Sequence, residues 1–327
     1  MLVRAAFSAI ALAICTGASA QGAEKLRFQT DWIPSGEHAM YYGAWQKGIY
    51  AAEGLDITIT RGYGSGDTVT KLAGGAFEFG VADLGAVLTA RARQNIPVKT
   101  IATIYTHSPH SLFVLKSSGI TSFKGLEGKK IGITPGNSHR VYFPKVAEKS
   151  GTDPSKIVWV NMDGAAMAAQ LIAKNIDAAP FYSIHYYYQN KAASAAGQEI
   201  VVLPFVKTGF SIYAASLIAS DKMIAERPET VRKFLRASRK AFEWARDNSA
   251  EACKLHVQKV PEVAMDDCLG SLRATLEFVF GEHSKKFGWG KEDPARLAFT
   301  WQVVAESQSL DRKWDPKQAI NTSLVPR

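Results

Sequence analysis

Residues 26–59, LRFQTDWIPSGEHAMYYGAWQKGIYAAEGLDITI, change periodicity twice within a short span. Leu26-Arg27-Phe28-Gln29-Thr30 alternates apolar with polar, 41–52 has helical spacing, and Leu55-Asp56-Ile57-Thr58-Ile59 alternates again. A strand, a helix and a second strand in that order make a right-handed crossover, the building unit of parallel sheet. The loop between the first strand and the helix holds Trp32, Pro34 and His38. A bare connection needs none of these, so the loop either packs or binds something.

The same alternation runs outward from this unit. A short helix is predicted over 68–73, a buried strand over 79–82 and a helix over 85–93. The pattern then starts again, with strands over 130–133, 157–160, 178–181 and 200–203 and helices over 138–149, 167–174 and 184–195. Two long extended stretches, 100–115 and 206–219, are β-branched or aromatic-rich and lack helix signals. They read as two crossings between lobes. The remainder of the chain is helical: Pro228 opens a helix, and helices are expected over 231–247, 250–258, 265–278 and 294–308. The expected fold class is α/β with two lobes, each a mostly parallel sheet flanked by helices. Lobe 1 is discontinuous, 24–106 plus 212–320, and lobe 2 covers 107–211. A length of 327 residues fits two domains better than one core. Two lobes joined by two crossings form a cleft with a hinge, and small ligands usually bind in such clefts.

Residues 1–20, MLVRAAFSAIALAICTGASA, hold one base, an apolar run and a small-residue end at Ala18-Ser19-Ala20. This is the form of a secretory signal peptide, too short for a comfortable membrane span, and it implies a periplasmic location. Ile14 before Cys15 argues against lipidation. The chain has 39 Lys and Arg against 30 Asp and Glu, a formal charge of +9. These bases are dispersed. The densest set, Arg232, Lys233, Arg236, Arg239 and Lys240, has helical spacing and reads as a solvated face, not as a nucleic-acid surface. After the leader two cysteines remain, Cys253 and Cys268, flanking the helix-breaking Pro261. In an oxidising compartment they form a disulfide or stay as two buried thiols. Leu324-Val325-Pro326-Arg327 is a native tail or a protease-site scar and does not enter the reading of the fold.

Open parallel sheets bind ligands at the carboxyl ends of their strands. Those ends here are the 31–38 loop, Gly62-Tyr63-Gly64-Ser65-Gly66-Asp67-Thr68, Asp83, Thr134-Pro135-Gly136-Asn137-Ser138-His139, Asp163-Gly164-Ala165 and Tyr182-Ser183. Four of these lead into helices, whose free N–H groups favour an anion or a polar acceptor; Ser65 or Asp67, Asn137, Ser138 and Asp163 also suit helix caps. The glycine spacing at 62–66 fits no nucleotide fingerprint, and nucleophile-elbow, zincin and Cys/His patterns are missing. No catalytic residue, metal site or cofactor is therefore expected. His38 and His139 follow strand ends and face the cleft, whereas His256 and His283 read as surface residues. Tyr186, Tyr187 and Tyr188 read as core and flank of a helix.

Several motifs together resemble the periplasmic thiamine-pyrimidine-precursor binding proteins, whose fold is shared by the sulfonate, nitrate and taurine binding proteins of ABC importers. The carriers are Asp31-Trp32-x-Pro34-x-x-x-His38, Tyr42, Lys47-Gly48-x-Tyr50 and Glu53-Gly54-Leu55-Asp56-Ile57. Further along come Leu72-Ala73-x-Gly75-x-Phe77-Glu78-Phe79-Gly80-Val81, Leu126-x-Gly128-Lys129-Lys130-Ile131-Gly132, Leu171-Ile172-Ala173-x-x-x-Asp177-Ala178 and Pro228-Glu229-x-Val231-x-x-Phe234-Leu235-x-Ala237. The resemblance implies that Trp32 stacks on a flat heterocycle. Ser35 stands where an Asn is usual. Enzymes of the same fold that make the thiamine pyrimidine carry a cysteine-rich motif that this chain lacks, so no enzyme is expected.

The expectation is an exported solute-binding protein, a monomer that closes on a small-molecule ligand and delivers it to an ABC permease. The ligand is a small aromatic or heterocyclic solute such as a pyrimidine thiamine precursor; the alternatives are a small oxyanion, sulfonate or carboxylate, and a cleft enzyme. Trp32 and Pro34 would flank the ligand, and Ser65, Asp83, Asn137 and Ser138 would hydrogen-bond it. Tyr105 and Tyr182 would wall the cleft, with His38, His139 and Ser183 beside them.

Overall fold

A computed structural model describes residues 22–210 and 212–326; the leader expected at 1–20 lies outside the described residues. In chain order the first elements are β1 (Glu24–Gln29), α1 (Ala39–Gln46), β2 (Leu55–Thr60), α2 (Ser65–Ala73), β3 (Phe79–Asp83), α3 (Leu84–Gln94) and β4 (Val98–Thr103). Next come β5 (His110–Leu115), β6 (Lys130–Ile133), α4 (His139–Ser150), β7 (Val158–Asn161), α5 (Gly164–Ile172), β8 (Ala178–Tyr182), α6 (Tyr186–Ala195) and β9 (Ile200–Pro204). The chain ends in β10 (Ala215–Ser220), α7 (Asp221–Glu226), α8 (Pro228–Asp247), α9 (Ser249–Lys259), α10 (Met265–Phe280), α11 (Glu282–Phe287) and α12 (Pro294–Gln308).

The strands form two five-stranded sheets, ordered β2-β1-β3-β10-β4 and β7-β6-β8-β5-β9. The fold is α/β and two-lobed, with helices on the sheets. Each sheet is mixed, because β10 runs antiparallel to β3 and β4, and β5 antiparallel to β8 and β9. The reason is the way the chain enters. Ala215 pairs with Asp83, and His110 with Tyr182, so each reversed strand starts where a parallel neighbour ends. A chain arriving at the end of a sheet that faces the other lobe can only run back the opposite way.

Local chemistry accounts for the elements. In β2 the alternation Leu55, Ile57, Ile59 points inward and Asp56, Thr58, Thr60 outward, while all of β3 and β5 is buried, as for strands covered on both faces. Pro228 occupies the first turn of α8, where its missing N–H costs nothing, and the helix buries Val231, Phe234, Leu235 and Phe242. The Phe79 and Phe234 rings stack 3.9 Å apart, and Phe→Ala in such a core costs about 3–5 kcal/mol. Cys253 and Cys268 are joined in a disulfide that ties α9 to α10. Val325, near the chain end, is buried on the core of the first lobe.

Several expectations need correction. The helix expected over 41–52 stops at Gln46, because Gly48 takes a left-handed φ of 81° and a short 3-10 turn follows at Ala51–Glu53. The helix expected from Thr68 begins at Ser65 with Gly64 as its N-cap, so neither Ser65 nor Asp67 is the cap. The stretch 206–219 is not extended throughout, since Phe205–Thr208 is a 3-10 turn. His256 is fully buried, its ring 5.4 Å from Tyr42, because α9 turns that face toward α1. Of the three tyrosines, Tyr186 and Tyr187 form the exposed flank of α6 and Tyr188 is half-buried.

Candidate functional site

The carboxyl ends of β1, β2, β3, β6 and β8 bring their loops together between the two sheets. They enclose a small cavity of about 30 Å³. The first lobe lines it with Asp31, Trp32, Glu37, Gly64 and Ser65, the second with Asn137, Ser138, His139, Phe181, Tyr182 and His185. The lobes meet through main chain at one rim, where Gly66 N donates to Gly136 O at 3.0 Å. A Cβ on Gly66 would come within 3.0 Å of Gly136, so that approach needs glycine.

Glu37 is the electrostatic centre. Its Oε1 lies 2.6 Å from His185 Nε2, and its Oε2 accepts from Tyr105 OH at 2.7 Å. Burial alone would raise the Glu37 carboxyl, but the charges of His185 and His38 and these hydrogen bonds outweigh it and pull it down to about 2. His38 is buried behind the cavity. Its Nδ1 accepts from Ser35 N at 3.1 Å and its Nε2 lies 3.6 Å from Asp31 Oδ1, so it orients a lining carboxylate without touching the cavity.

A second buried chain runs behind the opposite wall. Ser65 Oγ accepts from Asp83 N at 2.9 Å; Asp83 Oδ1 accepts from Gly85 N at 2.8 Å and from Tyr142 OH at 2.5 Å. Asp83 Oδ2 lies 3.5 Å from His110 Nε2, and that nitrogen is 2.9 Å from Ser138 Oγ. Burial pushes the Asp83 carboxyl up to about 7. His139 Nδ1 donates to Asn137 Oδ1 at 2.8 Å and its Nε2 accepts from Ser111 N at 3.4 Å; burial holds it near 3, so it is neutral.

Among the described residues, neither Lys nor Arg lines the cavity. An N–H at each of four nearby helix starts is already donated within the protein. Gly66 N goes to Gly136 O, Gly85 N to Asp83, His139 N to Asn137 and Ala165 N to Asp163. The four helix ends therefore offer less to an anion than their sequences suggest.

Known proteins are similar to this chain in sequence and in fold. Residues 35–252, more than half of the chain, match the family described as NMT1/THI5 like. The chain belongs to the NMT1/THI5-like family. Among curated relatives, the riboflavin-binding protein RibY of Chloroflexus aurantiacus is 27% identical over 93% of this chain and 86% of its own. A formylaminopyrimidine-binding protein of Halalkalibacterium halodurans is 24% identical over 72% of this chain and 71% of its own. A 4-amino-5-hydroxymethyl-2-methylpyrimidine phosphate synthase of Saccharomyces cerevisiae is 26% identical over 82% and 83%. In fold, the chain is similar to the alkanesulfonate-binding protein SsuA of Xanthomonas axonopodis pv. citri bound to MOPS. The TM-score is 0.71 at 16% identity, over 92% of this chain and 99% of that one.

Within this NMT1/THI5-like chain, six of the residues singled out by sequence, Trp32, Ser65, Asn137, Ser138, His139 and Tyr182, line the inner cavity. The other five stand elsewhere. Pro34 lines a separate outer cavity; His38 and Asp83 are buried behind the walls; Tyr105 holds Glu37; Ser183 N is donated to Pro109 O at 2.8 Å. Sequence reasoning missed Asp31, Glu37 and His185 as lining residues, and His110 and Tyr142 behind them. Asp31 and Glu37 lie inside the 31–38 loop, and a carboxylate among glycines and aromatics after a strand was the available signal. His185 carried none, because it reads as one more position of a helix.

Proposed function

We propose that the protein is the exported solute-binding component of an ABC importer. It closes its two lobes around a small aromatic or heterocyclic solute, such as a pyrimidine, and delivers it from the periplasm to a membrane permease. The closing hinge is the pair of crossings between the lobes, with lobes of 24–106 plus 212–320 and 107–211. The observation that carries this reading is the composition of the inner cavity: a half-buried Trp32, the carboxylates of Asp31 and Glu37, hydroxyls from Ser65 and Ser138, and neither Lys nor Arg among the described residues. A flat ring gains from stacking on an indole, and ring or exocyclic N–H groups suit carboxylate acceptors. Relatives named for formylaminopyrimidine and riboflavin support a nitrogen heterocycle.

The same observation argues against the oxyanion alternative. A sulfonate or carboxylate would enter beside the carboxylates of Asp31 and Glu37, and the nearby imidazoles of His38 and His185 are already held by those carboxylates, with no Arg or Lys among the lining residues. The enzyme alternative differs in outcome, not in site. Thermal denaturation with 4-amino-5-hydroxymethyl-2-methylpyrimidine, riboflavin and an alkanesulfonate separates the three readings, because a ligand that binds the native state raises Tm by mass action. A heterocycle should raise Tm and be recovered unchanged. A shift with the sulfonate alone, or recovery of an altered heterocycle, would overturn the proposal.

A further inference from the structure

Helix α6 of the second lobe lies on α10 of the first, with Tyr187 against Gly270; neither residue lines the inner cavity. A Cβ on Gly270 would fall 2.7 Å from Tyr187 Cδ1 and 2.9 Å from its Cγ. Cγ is the root of the ring, so tilting the far end of the side chain would not relieve that clash. Either α6 stands off or the whole side chain leaves. One turn along each helix, Lys191 Nζ and Asp267 Oδ2 meet at 3.4 Å, but the lysine is mostly exposed and such a pair contributes little. The contact of a ring with bare main chain therefore sets the spacing of the two helices.

The same turn of α10 supports the first lobe's side of the cavity. A Cβ on Gly36 would fall 2.6 Å from Cys268 O and 2.7 Å from Cys268 Cα, so the 31–38 loop rests on main chain there. Cys268 is itself tied to α9 by the disulfide. Glu37 follows Gly36 directly, and His185 is the N-cap of α6, two positions before Tyr187. Each partner of the 2.6 Å Glu37–His185 contact thus lies within two residues of a contact with 268–270, and glycine forms one side of both contacts.

We propose that Gly270 is a positioning residue for the cavity between the lobes: by admitting Tyr187 to the main chain of α10, it fixes the distance at which His185 meets Glu37. This goes beyond the solute-binding reading and holds whichever solute the cavity takes. Carbon atoms pack at about 3.5–4.0 Å, so a methyl at 270 pushes Tyr187 back by roughly 1 Å. His185 and Tyr187 share one helical turn and move together. A hydrogen bond stretched by that amount from 2.6 Å is no longer one.

Proton NMR of the ligand-free protein tests this. A carboxylate only accepts, so His185 Nε2 carries the proton, and a buried proton in so short a charge-assisted hydrogen bond gives a far-downfield signal, assigned by its loss in His185→Ala. Gly270→Ala should remove the signal, and adding Tyr187→Ala should restore it. Gly270 lies inside α10 without a left-handed φ, where Ala is the better helix former, so this variant folds. Gly36→Ala should remove the signal too, and there Tyr187→Ala should not restore it, because the obstruction is at Cys268. A signal that survives Gly270→Ala means that Tyr187 swings into solvent and spaces nothing, which overturns the proposal. So does a signal that stays lost when Tyr187→Ala is added to Gly270→Ala, one that Tyr187→Ala restores in Gly36→Ala, or its absence from the wild type. Each of these outcomes leaves the solute-binding reading standing, because no ligand enters the experiment.

Discussion

Glu37 of the first lobe and His185 of the second meet at 2.6 Å, both almost fully buried, in the wall of the cavity between the lobes. They are separated by 148 positions in sequence, and their contact bridges the two lobes.

Glu37→Ala should therefore weaken closure. Truncating one partner of a buried, hydrogen-bonded charge pair costs about 2–5 kcal/mol, much of it the penalty of leaving the other partner buried alone. A drop in Tm together with an increase in radius of gyration by small-angle scattering is expected. Adding His185→Ala should cost less than the sum of the two single changes. An additive cycle would mean that the two residues do not interact.

Stability should depend on pH with opposite signs at two sites. Burial pushes Asp83 up to about 7 from an ordinary value near 4, so between those values the folded chain holds a proton that the unfolded chain has lost. Asp83 then makes stability fall as pH rises from about 4 through 7. For Glu37, burial acts upward but is outweighed by the histidine charges, and the carboxyl drops to about 2; its contribution is intact above about 4.5 and is lost as pH falls from there toward 2. Chemical denaturation at a series of pH values should give Asp83→Asn a flatter profile than wild type between 4 and 7. An unchanged profile would contradict the assignment.

Trp32→Ala should cost a stacked ring about tenfold in affinity, corresponding to roughly 1.4 kcal/mol. Gly164→Ala should weaken the same ligand indirectly, because its methyl occupies the place of the indole. Titration calorimetry reads both. Full affinity in Trp32→Ala would remove stacking from the account.

The disulfide joins cysteines 15 positions apart on α9 and α10, beneath the loop that carries Glu37 and His38. Gly36 lies against the main chain of Cys268, and Gly43 against Ala252. Replacing both cysteines with alanine should lower stability by roughly 3 kcal/mol, read as a lower denaturation midpoint. A midpoint unchanged from wild type would mean that the bridge constrains nothing.

Much of the fold is legible in the sequence because strand and helix periods alternate cleanly. The helix expected over 294–308 matches α12 to the residue, and the strand ends at 31–38, 134–139 and 182 do reach the cavity. The reversed strands β5 and β10 are not legible. Their sequences read as extended, and direction is set by where the chain re-enters a sheet. Glu37 escapes notice because a single acid in a loop has no pattern. Tyr142 and Asp83 are 59 positions apart, and His185 lies in what reads as helix. His256 is misplaced because a polar side chain on a helix reads as surface, although α9 lies between α1 and α10. Periodicity tells which face is buried; it does not tell which buried polar groups find each other.

The most direct test of the central claim is mass spectrometry of the small molecule released from freshly purified protein. The expected result is one nitrogen heterocycle, chemically intact, in about equimolar amount and depleted in the Trp32→Ala protein. A sulfonate or other oxyanion at that stoichiometry, or a heterocycle retained in full without Trp32, would contradict the account.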